Sequence, residues 1–228
     1  MSRRRKMSFG FSAAALVAVL LLALWQGVQQ QQGSTRTGRA GRVGVGESYP
    51  AEASVLSVAD GDTFTTREGQ VVRLLGMDTP EHGEPYSGQA GARLADLVLG
   101  RSVRLTYDAE KKDRYGRLLC HVHLGNLWVN ELLVKEGLAV VYTVEPNFLK
   151  MDRLIRVQKD ARERKAGIWS LPPPEPVEAE YVASAKGFRF HRPGCELARG
   201  IAARNVRKFK TRDAALDLGL SPCRSCHP

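Results

Sequence analysis

Residues 58–81 have the sequence VADGDTFTTREGQVVRLLGMDTPE, and this stretch decides the fold of the middle of the chain. Two β-prone runs, 63–66 and 71–75, flank a polar turn at 67–70. Threonine, phenylalanine and valine favour extended backbone, whereas glycine among polar residues favours a turn. The pattern therefore predicts a hairpin that is preceded by the turn Asp60-Gly61-Asp62.

Further elements extend outward from this hairpin. Apolar runs predict strands near 53–58, 102–107 and 118–124. Helices are predicted over 87–99, with Ala90, Leu94, Leu97 and Val98 facing the core, over 129–136, and over 148–165 with Asn147 as N-cap. Five strands and three helices in about 120 residues predict a small closed barrel with helical caps.

Composition restricts the class of protein. The chain has 228 residues, of which 43% are apolar and 25% charged, and its four cysteines are too few for a disulfide scaffold. The net charge of +10 comes from the two ends, because residues 47–176 have 17 basic and 19 acidic residues. A nucleic-acid partner therefore cannot be inferred from overall charge alone.

The amino-terminal segment predicts export. Arg3-Arg4-Arg5-Lys6 precedes an apolar run from about Phe9 to Trp25, and a Gln/Gly-rich stretch follows it. A basic flank before about 17 apolar residues is typical of a signal anchor or of a cleaved signal peptide. Trp25 stands where a cleavage site needs small residues, so we expect an uncleaved membrane anchor with the body outside the cytoplasm.

Charged residues inside the strand pattern indicate chemistry. Asp62, Asp78 and Glu81 are oxygen acceptors at predicted strand ends, and such oxygens suit calcium. Arg73 lies in an apolar strand, where an unpaired guanidinium is costly, so it pairs with a carboxylate or points into a site. Carboxylates, a cation and the arginines Arg73 and Arg117 together suit phosphodiester hydrolysis.

Each of these features also has a purely structural interpretation. Asp-Gly-Asp is common in hairpin turns, and Asp-Thr-Pro-Glu at 78–81 is a good helix start. Arg73 could be structural, and the Tyr-Gly-Arg of 115–117 could be a plain turn. The occurrence of all these features in one chain, in this order, favours a hydrolytic site over the structural interpretation.

These segments resemble the staphylococcal nuclease (thermonuclease) family. The matching stretches are VADGDTFTT, VVRLLGMDTPE, DRYGR, LWVNELLVKEGLAVVY and AGIWS, in colinear order over about residues 53–170. The resemblance implies an α+β fold with a five-stranded OB-fold β-barrel and three helices. It also implies a nuclease that acts on DNA, RNA or both.

The resemblance implies roles for individual residues. Asp62 and Asp78 would bind Ca²⁺ with the carbonyl of Thr79, Glu81 would be the general base, and the scissile phosphate would contact Arg73 and Arg117. Residues that would contact substrate are Tyr115, Tyr142 and Arg114. The loop 82–88 is shorter and less basic than in the founding enzyme. The alternative is a barrel of the same fold that binds nucleic acid or protein without catalysis.

A Cys/His pattern follows the proline-rich segment 172–178. His191, Cys195, Cys223 and Cys226 have the spacing H-x3-C-x27-C-x2-C, which suits a tetrahedral Zn²⁺ site that would stabilise a small C-terminal domain. A Cys223–Cys226 disulfide is the alternative outside the cytoplasm. This module resembles the small zinc domain of the Ada repair protein. Its basic residues could hold nucleic acid or form a solvated face.

The predicted organisation follows from these segments. It comprises a signal anchor or signal peptide (1–28), a flexible linker (29–50), a nuclease-like domain (51–171), a proline-rich linker (172–178) and a metal-binding module (179–228). We expect a monomer that contacts the cell membrane through its N-terminal segment. A further hypothesis makes the C-terminal module the main functional part, as a sensor or tether.

Overall fold

A computed structural model describes residues 48–228, which form one compact unit. The predicted anchor at 1–28 and residues 29–47 of the predicted linker lie outside the described residues. Every helix within 48–228 is too short or too polar to cross a bilayer. The predicted export and anchoring of the chain are therefore left untested.

The N-terminal part of this unit is a β-barrel with short additional strands. Its strands are β1 (Glu52–Val58), β2 (Thr63–Thr66), β3 (Val71–Leu74), β4 (Met77–Asp78), β5 (Ser102–Thr106), β6 (Leu118–Leu124), β7 (Leu127–Trp128) and β8 (Val140–Val141). Strand β6 has the bounds that its apolar run predicts. Strands β4 and β8 form a separate antiparallel pair next to the barrel.

Five of these strands close into the barrel. Strand β1 pairs with β2 and β5, and β5 pairs with β6, all antiparallel. Strand β3 pairs antiparallel with β2 and parallel with β6, so that Arg73 lies opposite Leu119. The ring β1-β2-β3-β6-β5 is thereby complete, and the predicted five-stranded barrel is confirmed.

Three helices cover the barrel, as predicted. They are α1 (Ser87–Val98), α2 (Val129–Lys135) and α3 (Met151–Glu163). The buried residues of α1 are the four that the helical period predicts: Ala90, Leu94, Leu97 and Val98. The core contains the fully buried Phe64, Leu74, Leu133 and Leu154, so strands and helices share one apolar interior.

The predicted bounds of α3 were wrong. The helix begins at Met151 after Lys150, which has a positive φ, and it ends at Glu163. The side-chain amide of Asn147 does not cap it. That amide accepts a hydrogen bond from the Glu110 N–H (2.8 Å) and donates one to the Glu110 carbonyl (3.2 Å), so a tertiary contact replaces the predicted local cap.

The C-terminal module is a second, smaller sheet with two short helices. Its strands β9 (Tyr181–Ser184), β10 (Arg189–His191), β11 (Val206–Phe209) and β12 (Ser221–Pro222) lie in the order β11-β9-β10-β12. The helices are α4 (Glu196–Arg199) and α5 (Arg212–Leu216). Its core is small, and Trp169 from the barrel side packs against it.

Edge strand β12 docks the module onto the barrel. The Ser221 hydroxyl donates to the carbonyl of Val141 in β8 (2.8 Å), and the Thr143 hydroxyl donates to the carbonyl of Gly219 (3.0 Å). A Cβ at Gly219, whose φ is +72°, would lie 2.6 Å from Cδ1 of Ile155 in α3. Glycine therefore permits this close approach, which brings the segment after β12 to the mouth of the barrel.

Candidate active site

A cavity of about 730 Å³ opens at one end of the barrel. The nine residues that the sequence indicates for nuclease chemistry all line it: Asp62, Arg73, Asp78, Thr79, Glu81, Arg114, Tyr115, Arg117 and Tyr142. They come from the β1–β2 turn, β3, β4 and the loop after it, the turn before β6, and the end of β8. The fold thus brings together five separate segments of the chain.

Asp62 is fixed in the tight turn between β1 and β2. Its Oδ2 accepts hydrogen bonds from the Thr79 N–H (3.0 Å) and hydroxyl (3.1 Å), and its Oδ1 accepts one from the Thr63 hydroxyl (2.9 Å). A Cβ on Gly61 would lie 2.6 Å from Cβ of Ala90 and 2.7 Å from Cγ2 of Thr79. Only glycine lets the turn pack this closely against α1 and the segment that holds Thr79.

Arg73 lies between the two buried aspartates, with a side chain only 12% exposed. Its Nη2 is 2.6 Å from Oδ1 of Asp78 and 3.0 Å from Oδ2 of Asp62. Its Nη1 donates to the carbonyls of Leu74 and Met77, both at 3.0 Å. Both predicted alternatives for this guanidinium are observed, because it pairs with carboxylates and also lines the cavity. The carboxylates of both aspartates therefore contact the same positively charged atom, Nη2 of Arg73.

Arg117 is oriented by a residue that we did not single out from the sequence. Its Nε donates to Oδ2 of Asp113 (2.7 Å), and Oδ1 of Asp113 accepts the backbone N–H groups of Tyr115 (2.9 Å) and Arg117 (3.0 Å). Partial burial acts to raise the Asp113 pKa, but these hydrogen bonds outweigh it and hold the pKa below its ordinary value. Asp113 therefore orients Arg117 as an ionised carboxylate.

Tyr115 lies exposed at the cavity rim, with the guanidinium groups of Arg114 and Arg117 at 4.8 and 5.7 Å from its ring centre. Nη2 of Arg114 also donates to the Tyr115 hydroxyl (2.6 Å). An exposed aromatic ring with two cations above it offers a surface for a base and a phosphate. The predicted contact of Tyr115 with substrate stays a prediction.

Two arginines from the C-terminal module also reach this site. Arg189 lies over the ring of Tyr142 with its Cζ at 3.6 Å from the ring centre. Arg224 contacts Asp78 and forms an ion pair with Glu81. Sequence reasoning missed both, since no local pattern shows that residues after 180 reach a site formed by residues 62–142.

Known proteins match this chain over the barrel. The family described as staphylococcal nuclease homologue matches residues 71–171. The thermonuclease of Staphylococcus hyicus is 37% identical over 145 residues, which are 60% of this chain and 86% of the relative. The chain belongs to the staphylococcal nuclease family. The predicted enzyme class, a nuclease with a nucleic-acid substrate, is thereby confirmed.

Two further relatives are similar to this chain over the same region. The thermonuclease of Staphylococcus intermedius is 40% identical over 133 residues, 54% of this chain and 77% of that relative. Endonuclease YncB of Bacillus subtilis (strain 168) is 37% identical over 122 residues, 49% of this chain and 58% of that relative. The family match ends at residue 171, so the resemblance of the C-terminal module to the Ada zinc domain stays a prediction.

A cluster of potential metal ligands lies in the C-terminal module of this nuclease. One ligand atom from each of His191, Cys195, Cys223 and Cys226 lies within 4.8 Å of the others, and it is the one such group of potential metal ligands found among residues 48–228. His191, Cys195 and Cys223 are buried, and Cys226 is partly buried. The fold thus brings together the four residues that the spacing predicts.

The local chemistry of this cluster suits metal ligation. All four cysteines of the described chain are free, so Cys223 and Cys226 are not joined as the alternative prediction requires. Burial and the nearby Arg189 lower the pKa of His191, which favours the neutral imidazole that a metal needs. Burial acts to raise the Cys223 pKa, but the amide groups of Ser225 and Cys226 outweigh it and lower that pKa.

Proposed function

We propose that this chain is a calcium-dependent phosphodiesterase that hydrolyses DNA, RNA or both by attack of water on phosphorus. The observation that carries the proposal is the single cavity that contains Asp62, Asp78, Glu81, Arg73 and Arg117. Membership of a nuclease family supports the reaction class. The arrangement of carboxylates and arginines in that cavity supports a specific role for each of these residues.

Calcium fits the acidic part of the cavity. The carboxylates of Asp62 and Asp78, with the backbone carbonyl of Thr79, would hold the ion through oxygen atoms alone, as hard cations prefer. A cationic nitrogen of Arg73 already lies between the two aspartates. This contact supports the proposal that the two carboxylates stabilise positive charge at this position. When bound, the ion supplies positive charge beside the phosphate.

The remaining residues would act on the phosphate and on water. Glu81 would accept a proton from the attacking water, and its side chain is 60% exposed toward the cavity mouth where water is available. Arg73 and Arg117 would donate hydrogen bonds to the phosphate oxygens, whose negative charge increases at the five-coordinate phosphorus. Tyr115, Tyr142 and Arg114 would position the nucleotides on either side.

The Cys/His cluster is proposed to hold Zn²⁺. Three thiolates and one imidazole in a compact group are typical of structural zinc. The module has a core of only a few apolar residues, so a bound ion would contribute much of its folding free energy. The resemblance to the Ada zinc domain supports the same proposal.

Export and membrane attachment through residues 1–28 complete the proposal, with the nuclease held outside the cytoplasm as a monomer. The basic flank and apolar run support export, and the absence of small residues at a cleavage position supports retention of the anchor. Cell fractionation of the whole chain, compared with a chain that lacks residues 1–28, would test this. Recovery of both in the same soluble cytoplasmic fraction would contradict it.

Hydrolysis of single-stranded DNA and RNA by the purified full chain tests the nuclease proposal. Free divalent metal is removed first, and calcium is then restored in steps. Glu81→Gln tests the base, and Glu68→Gln is the matched control because Glu68 lies in the exposed turn between β2 and β3. We expect calcium to restore cleavage in the natural chain and in the control, and Glu81→Gln to lower kcat by at least about 100-fold.

The outcomes distinguish this function from a non-catalytic barrel. A folded chain that binds oligonucleotides but cleaves none with any divalent ion would support a binding module instead. Equal rates in Glu81→Gln and the natural chain would remove Glu81 from the mechanism and leave the nuclease intact.

A further inference from the structure

Arg224 lies in the Cys223–Cys226 turn of the C-terminal module and lines the same cavity as the nuclease residues. Within the turn, the Ser225 N–H donates to Sγ of Cys223 (3.4 Å). The Cys223 N–H donates to the carbonyl of Phe190 (3.0 Å) in β10. The backbone that projects this arginine is thus fixed by the metal-binding turn and by the module's sheet.

The guanidinium of Arg224 contacts two of the residues on which the proposed reaction depends. Its Nε and Nη2 donate to Oδ2 of Asp78 at 3.0 and 2.5 Å, and its Nη1 forms an ion pair with Glu81. Arg73 contacts the other oxygen of the same carboxylate, Oδ1. Asp78 therefore lies between two guanidinium groups, one from the barrel and one from the module.

We infer that Arg224 is a third phosphate-binding arginine of the nuclease site, and that the module's metal-binding turn positions it there. The inference rests on the proposed function. It assigns a substrate contact to a residue outside the family-matched region 71–171.

Exposure distinguishes Arg224 from the two arginines of the barrel. Arg73 is 12% exposed and bonds four acceptors, and Nε of Arg117 is held by Asp113. The side chain of Arg224 is 53% exposed. Within residues 48–228, its contacts with Asp78 and Glu81 use three of the five guanidinium N–H groups, which leaves two for a phosphate oxygen. A partly exposed guanidinium with two unused N–H groups can donate charge-assisted hydrogen bonds to a phosphodiester.

The negative charge around Glu81 indicates why the site needs Arg224. The loop 82–88 that follows Glu81 contains no lysine or arginine, so the sequence near the base supplies no positive charge of its own. Asp78 and Glu81 line the same cavity as Arg224, and Glu84 lines a neighbouring cavity together with these three residues. An incoming polyanion would meet the exposed carboxylate of Glu81, and Arg224 offsets the negative charge of Glu81 and of the buried Asp78.

The experiment uses the full-length chain in detergent with calcium, and compares Arg224→Gln and Arg224→Lys with Arg207→Gln. Arg207 is an apt control because it lies in β11, at the sheet edge opposite the β12 edge that leads to Arg224, and its loss changes net charge equally. Affinity is measured by fluorescence anisotropy with a labelled phosphorothioate oligothymidylate over a range of salt concentrations. Steady-state cleavage of the ordinary oligonucleotide is measured in parallel.

We expect Arg224→Gln to weaken affinity and lower kcat/KM by about tenfold, the value of one charged hydrogen bond. The slope of log affinity against log salt should decrease by about 0.7, as for one lost phosphate contact on a single strand. Arg224→Lys should retain the salt slope but recover only part of the affinity, because it keeps the charge without the fork. Arg207→Gln should match the natural chain.

Three outcomes would overturn the inference. An unchanged slope and affinity in Arg224→Gln would mean that Arg224 does not contact substrate. Tighter binding or faster cleavage would mean that Arg224 obstructs the site. If Arg224→Gln does not fold, an Arg224→Lys chain with the affinity and kcat/KM of the natural chain would show that the fork is not used. Absence of calcium-dependent cleavage and binding in the natural chain would instead contradict the proposed function.

Discussion

Arg224 donates hydrogen bonds of 3.0 and 2.5 Å to Oδ2 of Asp78, a residue 146 positions earlier in the chain. Oδ1 of the same carboxylate accepts from Arg73 at 2.6 Å. A carboxylate held on both sides by guanidinium groups has a fixed orientation, and fixed charges are what a hydrolytic site needs before substrate arrives. The proposed active site therefore contains side chains from both the barrel and the C-terminal module.

Loss of Arg73 should weaken both folding and catalysis. Arg73→Gln leaves the buried Asp62 and Asp78 without their shared cationic partner, so we expect the free energy of unfolding in chelator to fall by about 3 kcal/mol. Calcium should recover part of that loss, and kcat/KM should fall by more than about 100-fold. Urea unfolding with and without calcium, together with steady-state cleavage, measures these effects.

Arg93→Gln is the matched control for this prediction, because Arg93 pairs with Glu136 on the surface and is 36% exposed. It should cost less than about 1 kcal/mol and leave cleavage unchanged. Equal free energies of unfolding for the Arg73 and Arg93 variants in chelator would mean that the buried ion pairs of Arg73 stabilise the fold no more than a surface pair does.

The β1–β2 turn should not tolerate a side chain at Gly61. Gly61→Ala would place a methyl group 2.6 Å from Cβ of Ala90 and 2.7 Å from Cγ2 of Thr79, so the turn or α1 must shift. We expect a loss of about 2 kcal/mol in the free energy of unfolding. Gly88→Ala in α1 meets no atom within 4 Å and should be neutral or slightly stabilising. Thermal unfolding of the two variants would show no difference if the turn were loosely packed.

The pH dependence of stability should include a contribution from His121. Burial, together with the positive charges of Lys150 and His123 and against the opposing charge of Asp108, lowers the His121 pKa to about 4. Between pH about 6.5 and 4 the unfolded chain binds a proton that the folded chain does not, so the free energy of unfolding falls as pH decreases. The contribution lost by pH 4 is up to about 3 kcal/mol.

Urea unfolding from pH 7 to pH 4.5 measures this effect. His121→Gln should give a flatter pH profile than the natural chain, whereas His82→Gln, in the exposed loop after Glu81, should keep the natural slope. Parallel profiles for the natural chain and His121→Gln would exclude His121 as a source of the pH dependence.

Metal content tests the Cys/His cluster directly. The full chain, purified without chelator, should contain about one zinc ion, measured by inductively coupled plasma mass spectrometry. Cys195→Ser should lose most of it and unfold at lower temperature, since a ligand and part of the module's folding free energy are lost. Cys120→Ala is the control because Cys120 is buried in β6, within the barrel core. A zinc-free natural chain with a Cys223–Cys226 disulfide would contradict the proposal.

Much of the local structure follows from sequence pattern. The apolar run 118–124 predicts β6 to the residue, and the 3.6-residue period predicts the buried face of α1. These features are local, because burial of one face of a strand or helix requires a fixed spacing of apolar side chains. The cap at Asn147 fails for the opposite reason, since its amide has a partner in Glu110 that lies 37 residues away.

The amino-acid sequence by itself determined the five strands of the barrel, its three helices, the residues proposed for nuclease chemistry and the spacing of the four potential metal ligands. The tertiary structure alone decided that β3 closes the barrel on β6, that Asp113 orients Arg117, and that Arg224 reaches Asp78. The physical reason is the sequence separation between the residues that interact. Side-chain periodicity is set by neighbours a few residues apart, whereas these contacts depend on which surfaces meet after the apolar faces are buried.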